Sequence, residues 1–286
     1  MNKKELIQII NLALKEDIGS GDITTNLIIP DFQKGIAEIF VKEDGVIAGL
    51  NVANEVFKRL NNKITFRKFI KEGDKVSKGT KIAEVKGSLR ALLTGERTAL
   101  NFLQRMSGIA TFTSKFVAQL EGLNTKILDT RKTVPCLRML DKYSVKVGGG
   151  TNHRFGLYDM VLIKDNHIKA AGSITKAVQL IRKKLKKKVR IEVETTNLDE
   201  VKEALSNKVD IIMLDNMSLK LMEQAVKLID GKAKVEASGN VTLQNVRKIA
   251  LTGVDFISAG VLTHSVKALD ISMKIQKFNA ELGEQR

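Results

Sequence analysis

One cysteine, two prolines and no tryptophan occur in 286 residues. A single cysteine excludes an intramolecular disulfide framework and suits a reducing compartment, so the expected location is the cytoplasm. No Cys/His cluster has zinc-ligand spacing. With no tryptophan and two tyrosines, base stacking has little support, and no nucleic-acid partner is expected. No apolar run approaches the ~20 residues of a membrane helix. The opening MNKKELIQIINLALKED is amphipathic with acids included and lacks the apolar core and cleavage site of a signal peptide, so no membrane partner is expected either. No tight repeat points to a solenoid. Acids are scarce beside bases, 32 against 48, for a net charge of +16. That excess admits an anionic partner or simply lysine-rich solvated faces. The densest run, Arg182 to Lys188, ends a helical pattern, where cations suit the helix dipole, and is read as solvated surface.

The remaining composition, 43% hydrophobic and 28% charged, is that of a globular protein with room for one large domain or two modest ones. Lys4 to Lys15 has helical periodicity, and residues 16–25, with Gly19 and Gly21, read as a loop in which Asp22 or Thr24 bonds nearby amides. Gly35 to Ala48 reads as two strands, Leu50 to Leu60 as a helix and Ile64 to Lys86 as paired strands. The turn Glu72 to Gly79 resembles the hairpin of biotinyl and lipoyl carrier domains. It lacks their Met-Lys-Met or Asp-Lys-Ala, so it is read as part of a small strand-rich domain. Ser88 to Glu121 reads as helical with a break near Gly108. Arg97, Asn101 and Arg105 share one face of it, read on pattern alone as a solvated face.

From Lys126 the pattern changes. Ile127-Leu128, Met160 to Ile163, Val189 to Val193, Ile211 to Leu214, Val235 to Ala237 and Phe256-Ile257 are short apolar strands. Helical stretches separate most of them: Pro135–Lys146, Ile174–Lys186, Leu198–Ser206, Leu219–Ile229 and Leu243–Ala250. Such β–α units form parallel sheets with right-handed crossovers. The expected fold class is α/β. An N-terminal α+β sandwich domain, 1–109, precedes an open or incomplete β/α barrel, 110–267. The apolar run Leu269 to Ile275 either closes the barrel or returns, with the rest of 268–286, to the first domain.

The strand ends carry the chemistry. After successive strands come Arg131-Lys132, Lys164-Asp165, Glu194-Thr195, Asp215-Asn216, Ser238-Gly239-Asn240 and Ser258-Ala259-Gly260. In parallel α/β folds ligands bind at this end of the strands. Any one of these is a cap or a turn; together on one rim they form a site. Arginine forks match carboxylates. Glu194 and Asp215, set among cations, suit Mg²⁺ held directly or through water. The small-residue ends suit phosphate.

The stretch Asp129 to His167 is specific enough to name a family. Its DTRKT, GGG–NHR and LIKDNH motifs, in this order and spacing, resemble quinolinate phosphoribosyltransferase, also called carboxylating nicotinate-nucleotide pyrophosphorylase. The likeness covers nearly the whole chain. It implies transfer of phosphoribosyl from phosphoribosyl pyrophosphate to quinolinate, with decarboxylation, giving nicotinate mononucleotide, pyrophosphate and CO₂ in NAD biosynthesis. Arg131, His153, Arg154 and Lys164, with Thr130 beside them, would grip the two quinolinate carboxylates. Arg97, in GERTALN, would reach in from the neighbouring subunit of a homodimer or larger oligomer. Lys132 would contact the pyrophosphate or ribose side and, with Glu194 and Asp215, would be catalytic; the two acids would orient ribose hydroxyls and Mg²⁺. Ser238, Gly239, Asn240, Ser258, Ala259, Gly260 and His264 would line the phosphate pocket. A molybdenum-transport-associated paralogue with another acceptor is the alternative, and a basic nucleic-acid-binding protein a more distant one. One departure stands out: the family's Pro-Gly-Leu-Arg is Pro135-Cys136-Leu137-Arg138 here.

Overall fold

The computed structural model describes residues 1–186 and 189–277. In chain order the elements are α1 (Lys3–Ile18), α2 (Ile23–Ile28), β1 (Lys34–Val41), β2 (Gly45–Val46), α3 (Leu50–Leu60), β3 (Thr65–Lys68), β4 (Lys75–Val76), β5 (Lys81–Ser88) and α4 (Leu89–Gln119). Then follow β6 (Lys126–Leu128), α5 (Arg138–Val147), β7 (Val161–Ile163), α6 (Asp165–Ala171), α7 (Ile174–Lys184), β8 (Ile191–Thr195) and α8 (Leu198–Ser206). The last are β9 (Ile211–Asp215), α9 (Leu219–Ile229), β10 (Lys234–Ser238), α10 (Val246–Ala250), β11 (Phe256–Ser258), α11 (Val261–His264) and β12 (Ile271–Lys277). They fall into two compact units. Among the described residues, one holds 1–112, 135–148 and 266–277; the other holds 113–134, 149–186 and 189–265.

The first unit is built on an antiparallel sheet of order β12-β1-β5-β3. β1 alternates, burying Ala37, Ile39 and Val41 completely, which is the period-two signature of a half-buried strand. The apolar run near the C-terminus joins this sheet: β12 pairs antiparallel with β1, Ile39 opposite Met273. Residues 278–286 lie outside the described part of the chain. Gly19 is the C-cap of α1, and Asp22 bonds a nearby amide as expected, its carboxylate accepting from the Thr25 N–H at 2.9 Å; in doing so it caps α2, so the loop expected to run on to Thr25 stops at Asp22. The expected break in the long helix is absent, since α4 runs through Gly108. A Cβ there would lie 2.3 Å from the Lys267 carbonyl oxygen, so glycine serves a close backbone approach and does not end the helix.

The sequence assigns Pro135–Lys146 to the barrel. In the structure this segment clusters with the N-terminal unit, and the parallel unit resumes at Gly149. An ion pair made by a buried acid and a partly exposed arginine ties it there. Asp141 of α5, fully buried, takes two parallel hydrogen bonds from Arg105 of α4, at 2.9 and 2.8 Å. Arg105 is therefore not part of a solvated face. A bidentate pair of this kind is strongly directional, and breaking it would strand a buried charge.

The second unit is a six-stranded parallel sheet of order β6-β11-β10-β9-β8-β7. It is open between β7 and β6, and Leu128 at the β6 edge is bridged in parallel to Thr151. Ile212, Leu214, Val193, Ala237 and Ile257 are fully buried, as expected for strands covered on both faces. Helix starts follow the sequence: Ser173, Asn197 and Ser218 cap α7, α8 and α9 with side-chain oxygens, satisfying amides that no helical carbonyl reaches. Arg182, Lys183 and Lys184 occupy the last turn of α7; Lys187 and Lys188 lie outside the described residues.

The Cys136 departure has a backbone explanation. Cys136 is exposed and holds φ 64°, the left-handed region where a side chain costs roughly 1–2 kcal/mol and glycine does not. The glycine that the resemblance leads one to expect here is the residue this backbone calls for. Cys136→Gly is expected to raise the melting temperature by about 1–4 °C; an unchanged or lower value in thermal denaturation would show that the strain is relieved elsewhere.

Candidate active site

Parallel strands place all their C-terminal ends on one rim, and register decides which side chains share a level there. Asp215, Ser238 and Ser258 are lateral partners, as are Glu194, Met213 and Glu236. Partners in a parallel ladder point to the same face. All six line one cavity of about 940 Å³. Thr130, Arg131 and Lys132 enter it after β6, His153 and Arg154 from the loop before β7, and Lys164 after β7. Gly239, Asn240, Ala259, Gly260 and His264 complete the predicted set within the lining. Arg97 is not among the lining residues; it is exposed on α4 of the other unit.

One part of the lining is cationic and underpaired. Arg154 is 9% exposed and spends one guanidinium hydrogen bond on the Met160 carbonyl at 3.0 Å. Burial first, and then the charge of Arg131, lower its pKa from the ordinary arginine value. The Nε of Arg131 is buried and has no hydrogen-bond partner in the protein. Two guanidiniums near one another, one with a buried N–H left open, call for an anionic ligand. Asp129, fully buried, organises the loop beside them: it accepts from the His153 amide at 2.9 Å and from the Asn152 side chain.

Beneath this lies a cluster that the sequence reading missed. His153 Nε2 sits 3.0 Å from Glu192 and 3.5 Å from Glu236, both carboxylates fully buried. The three could in principle hold a metal ion, their nearest donor atoms lying within 4.8 Å of one another. The tautomer argues for a proton instead. His153 Nδ1 accepts the Arg154 backbone N–H at 2.7 Å, so Nε2 carries the hydrogen and points it at the carboxylates. Burial above all pushes Glu192 up to about 7 and Glu236 up to about 8. The available signal was strand period: Glu192 lies two residues before Glu194, and Glu236 two before Ser238, on the same strand faces.

Another part of the lining is acidic. Glu194 is half-buried, and its pKa is raised by burial first, then by the neighbouring Asp215 charge; Lys164, 4.0 Å away, opposes the shift. Two hard oxygen donors whose charges repel across one cavity fit Mg²⁺, which keeps waters or ligand oxygens in its other positions. Glycines make room on the remaining rim. A Cβ at Gly239 would fall 2.1 Å from Asn216 Oδ1, and one at Gly260 2.8 Å from Lys132 Cδ. Thr263 Oγ1 donates to the Lys132 carbonyl at 2.8 Å, and His264 Nδ1 lies 2.6 Å from Ser265 Oγ.

The buried acids give a pH prediction. Glu236 holds a proton in the folded protein up to about pH 8, whereas the unfolded chain releases it near 4.5. Between those values the folded state binds more protons, so stability falls as pH rises. Glu236→Gln removes that slope. Its melting temperature relative to the parent protein is expected to rise by several degrees between pH 6 and pH 8.5; a constant difference across that range would show that Glu236 takes up no proton on folding.

Among the described residues no helix is long and apolar enough to cross a membrane. Comparisons with known proteins agree with the geometry. Residues 22–107 match the N-terminal domain of quinolinate phosphoribosyl transferase, and residues 109–274 match its C-terminal domain. A probable nicotinate-nucleotide pyrophosphorylase [carboxylating] from Synechocystis is 49% identical over 92% of this chain and 90% of its own. The chloroplastic enzyme of that name from Arabidopsis thaliana is 47% identical over 95% of this chain and 83% of its own. The crystal structure of NadC from Streptococcus pyogenes superposes with a TM-score of 0.94 at 43% identity, covering 98% of this chain and 99% of that one. The chain belongs to the quinolinate phosphoribosyltransferase family.

Proposed function

We propose that this protein transfers phosphoribosyl from phosphoribosyl pyrophosphate to quinolinate, with decarboxylation, producing nicotinate mononucleotide, pyrophosphate and CO₂ for NAD biosynthesis. The observation that carries the reading is the buried Arg131 Nε, without a partner, beside the buried Arg154. A pyridine dicarboxylate supplies the acceptors that these donors lack. Arg131, Arg154, His153 and Lys164, with Thr130, would seat its carboxylates. Glu194 and Asp215 would orient the ribose hydroxyls. Lys132, whose stem runs past Gly260, would face the pyrophosphate side. Ser238, Gly239, Asn240, Ser258, Ala259, Gly260 and His264 would surround phosphate.

The chemistry follows from charge. The pyridine nitrogen forms a bond to the anomeric carbon as the bond from that carbon to pyrophosphate breaks. The transition state is oxocarbenium-like, as in glycosyl transfer generally. Lys132 and the rim amides stabilise the departing oxygens. Mg²⁺, held by Glu194 and Asp215 directly or through water, would supply charge neutralisation to the pyrophosphate. Once alkylated, the ring nitrogen is cationic. The bond to the adjacent carboxylate can then break, its electron pair staying on the ring carbon next to that charge. CO₂ leaves, and a solvent proton takes its place. No side chain need act as acid or base in that step; the arginines hold the acceptor in position.

The test is to mix protein, quinolinate, phosphoribosyl pyrophosphate and Mg²⁺ and assay nicotinate mononucleotide and CO₂, with nicotinate as a parallel acceptor. Product from quinolinate alone supports the reading; none from either would point to another acceptor. Arg131→Ala is expected to lower kcat/KM for quinolinate at least ~30-fold, the lower end of the cost of truncating a buried charge pair, with the fold intact. Unchanged kinetics would sink the assignment.

We further propose that the protein is a homodimer or larger homo-oligomer in which Arg97 completes the partner's site. Arg97 is exposed on α4 and outside the cavity of its own chain, while carrying the family's GERTALN motif. Mixing inactive Arg97→Ala with inactive Lys132→Ala protomers and allowing exchange is expected to restore roughly a quarter of full activity, because half the dimers then hold one intact site. No recovery after demonstrated exchange would place Arg97 outside the reaction. The free thiol of Cys136 suits a reducing compartment, which supports the cytoplasm.

A further inference from the structure

We infer that Asn216 is a positioning residue for the reaction: its side-chain amide orients the Asp215 carboxylate and is itself oriented by the Asn240 side chain, whose backbone Asn245 holds. The inference rests on the proposed reaction for Asp215's task, but its geometry stands alone. Asn216 Nδ2 donates to Asp215 Oδ2 at 2.8 Å, which leaves the other carboxylate oxygen for ribose or cation. Asn240 Nδ2 donates to Asn216 Oδ1 at 3.1 Å. That contact decides which way round the Asn216 amide lies, and so turns its NH₂ toward Asp215. The Asn240 backbone is held in turn, its main-chain carbonyl accepting from Asn245 Nδ2 at 2.9 Å, while Asn245 Oδ1 accepts the Thr242 backbone N–H at 2.8 Å.

Two backbone features are explained by this arrangement. Asn216 and Asn240 hold φ 53° and 50°, left-handed values that glycine would adopt at lower cost. A side chain is kept at both positions despite the strain, and strain of this kind clusters at working sites. Gly239 provides the space: any Cβ there would stand 2.1 Å from Asn216 Oδ1 and 2.5 Å from its Cγ. The electrostatics explain why the donor is neutral. Glu194 and Asp215 repel one another. A lysine in place of Asn216 would quench the charge that Asp215 brings to the site, whereas an amide fixes its direction and leaves the charge intact.

Asn216→Gly tests this cleanly, because glycine accepts φ 53° without strain. The melting temperature is expected within about 2 °C of the parent and KM for quinolinate within roughly twofold. kcat is expected to fall at least about tenfold, as for loss of one hydrogen bond to a charged group. In an Asp215→Asn background, the same glycine substitution should change the residual kcat by less than about twofold, since the Asn216 amide then has no carboxylate to aim. A parental kcat in Asn216→Gly would overturn the inference. So would an undiminished tenfold loss in the Asp215→Asn background, which would mean that Asn216 touches the reactants itself. If Asn216→Gly fails to fold, Asn216→Ala carries the test: it removes the same amide and should lower kcat at least about tenfold, again only when Asp215 is present; a parental kcat, or an equal loss in the Asp215→Asn background, overturns the inference. Crystal structures separate this inference from the reaction. The Asp215 carboxylate should be turned in Asn216→Gly relative to the parent, whatever the acceptor proves to be; an unmoved carboxylate overturns the inference, and absent quinolinate turnover in the parent overturns the reaction alone.

Discussion

The Arg131 charge stands close enough to Arg154 to lower its pKa, and most of the site can be understood from what that requires. Two cations converge only if something buried nearby holds them and something anionic is to arrive. The holding is done by groups bound into the fold. The Met160 carbonyl accepts from Arg154, and the Asp129 carboxylate fixes the loop that carries it. The arriving anion is read from the open, buried N–H of Arg131. Below them the fully buried acids Glu192 and Glu236 face the proton on His153. Protonation, not pairing alone, is what makes two such acids tolerable in the core.

The acidic part of the cavity obeys the opposite rule. Glu194 and Asp215 repel one another and share one cavity with Lys164. Their charge is useful only if it is directed, and direction comes from neutral amides packed against a glycine. The cavity thus combines fixed cations, fixed anions and small residues, each supplied by a different strand end and brought level by parallel register. A site of this kind suits a ligand with carboxylates at one end and phosphates at the other.

The fold also shows how a single backbone position can reveal a departure from its family. At Cys136 the chain turns through the left-handed region, where the glycine expected from the Pro-Gly-Leu-Arg resemblance would serve conformational freedom. At Gly108 the same residue type answers a different need, the approach of the Lys267 carbonyl to a continuous helix. Pattern alone cannot separate these cases, because a missing Cβ serves both backbone freedom and close packing.

Much of the rim was legible in the sequence. Short apolar runs ending in charge give parallel strands, and parallel strands deliver their ends to one side, so Arg131, Lys164, Glu194, Asp215, Ser238 and Ser258 could be grouped without coordinates. The DTRKT, NHR and LIKDNH motifs named the family. Strand period and strand polarity are local properties, so the class of fold and most of the residues that line the cavity could be read from the chain alone. The rest came from tertiary packing. It placed α5 with the N-terminal unit through the Arg105–Asp141 pair, showed Glu192 and Glu236 facing His153, and brought the Asn240 side chain against the Asn216 amide. Each of these depends on lateral register or on contacts between residues tens of positions apart, and register is fixed by packing of the whole sheet, not by any one segment of it.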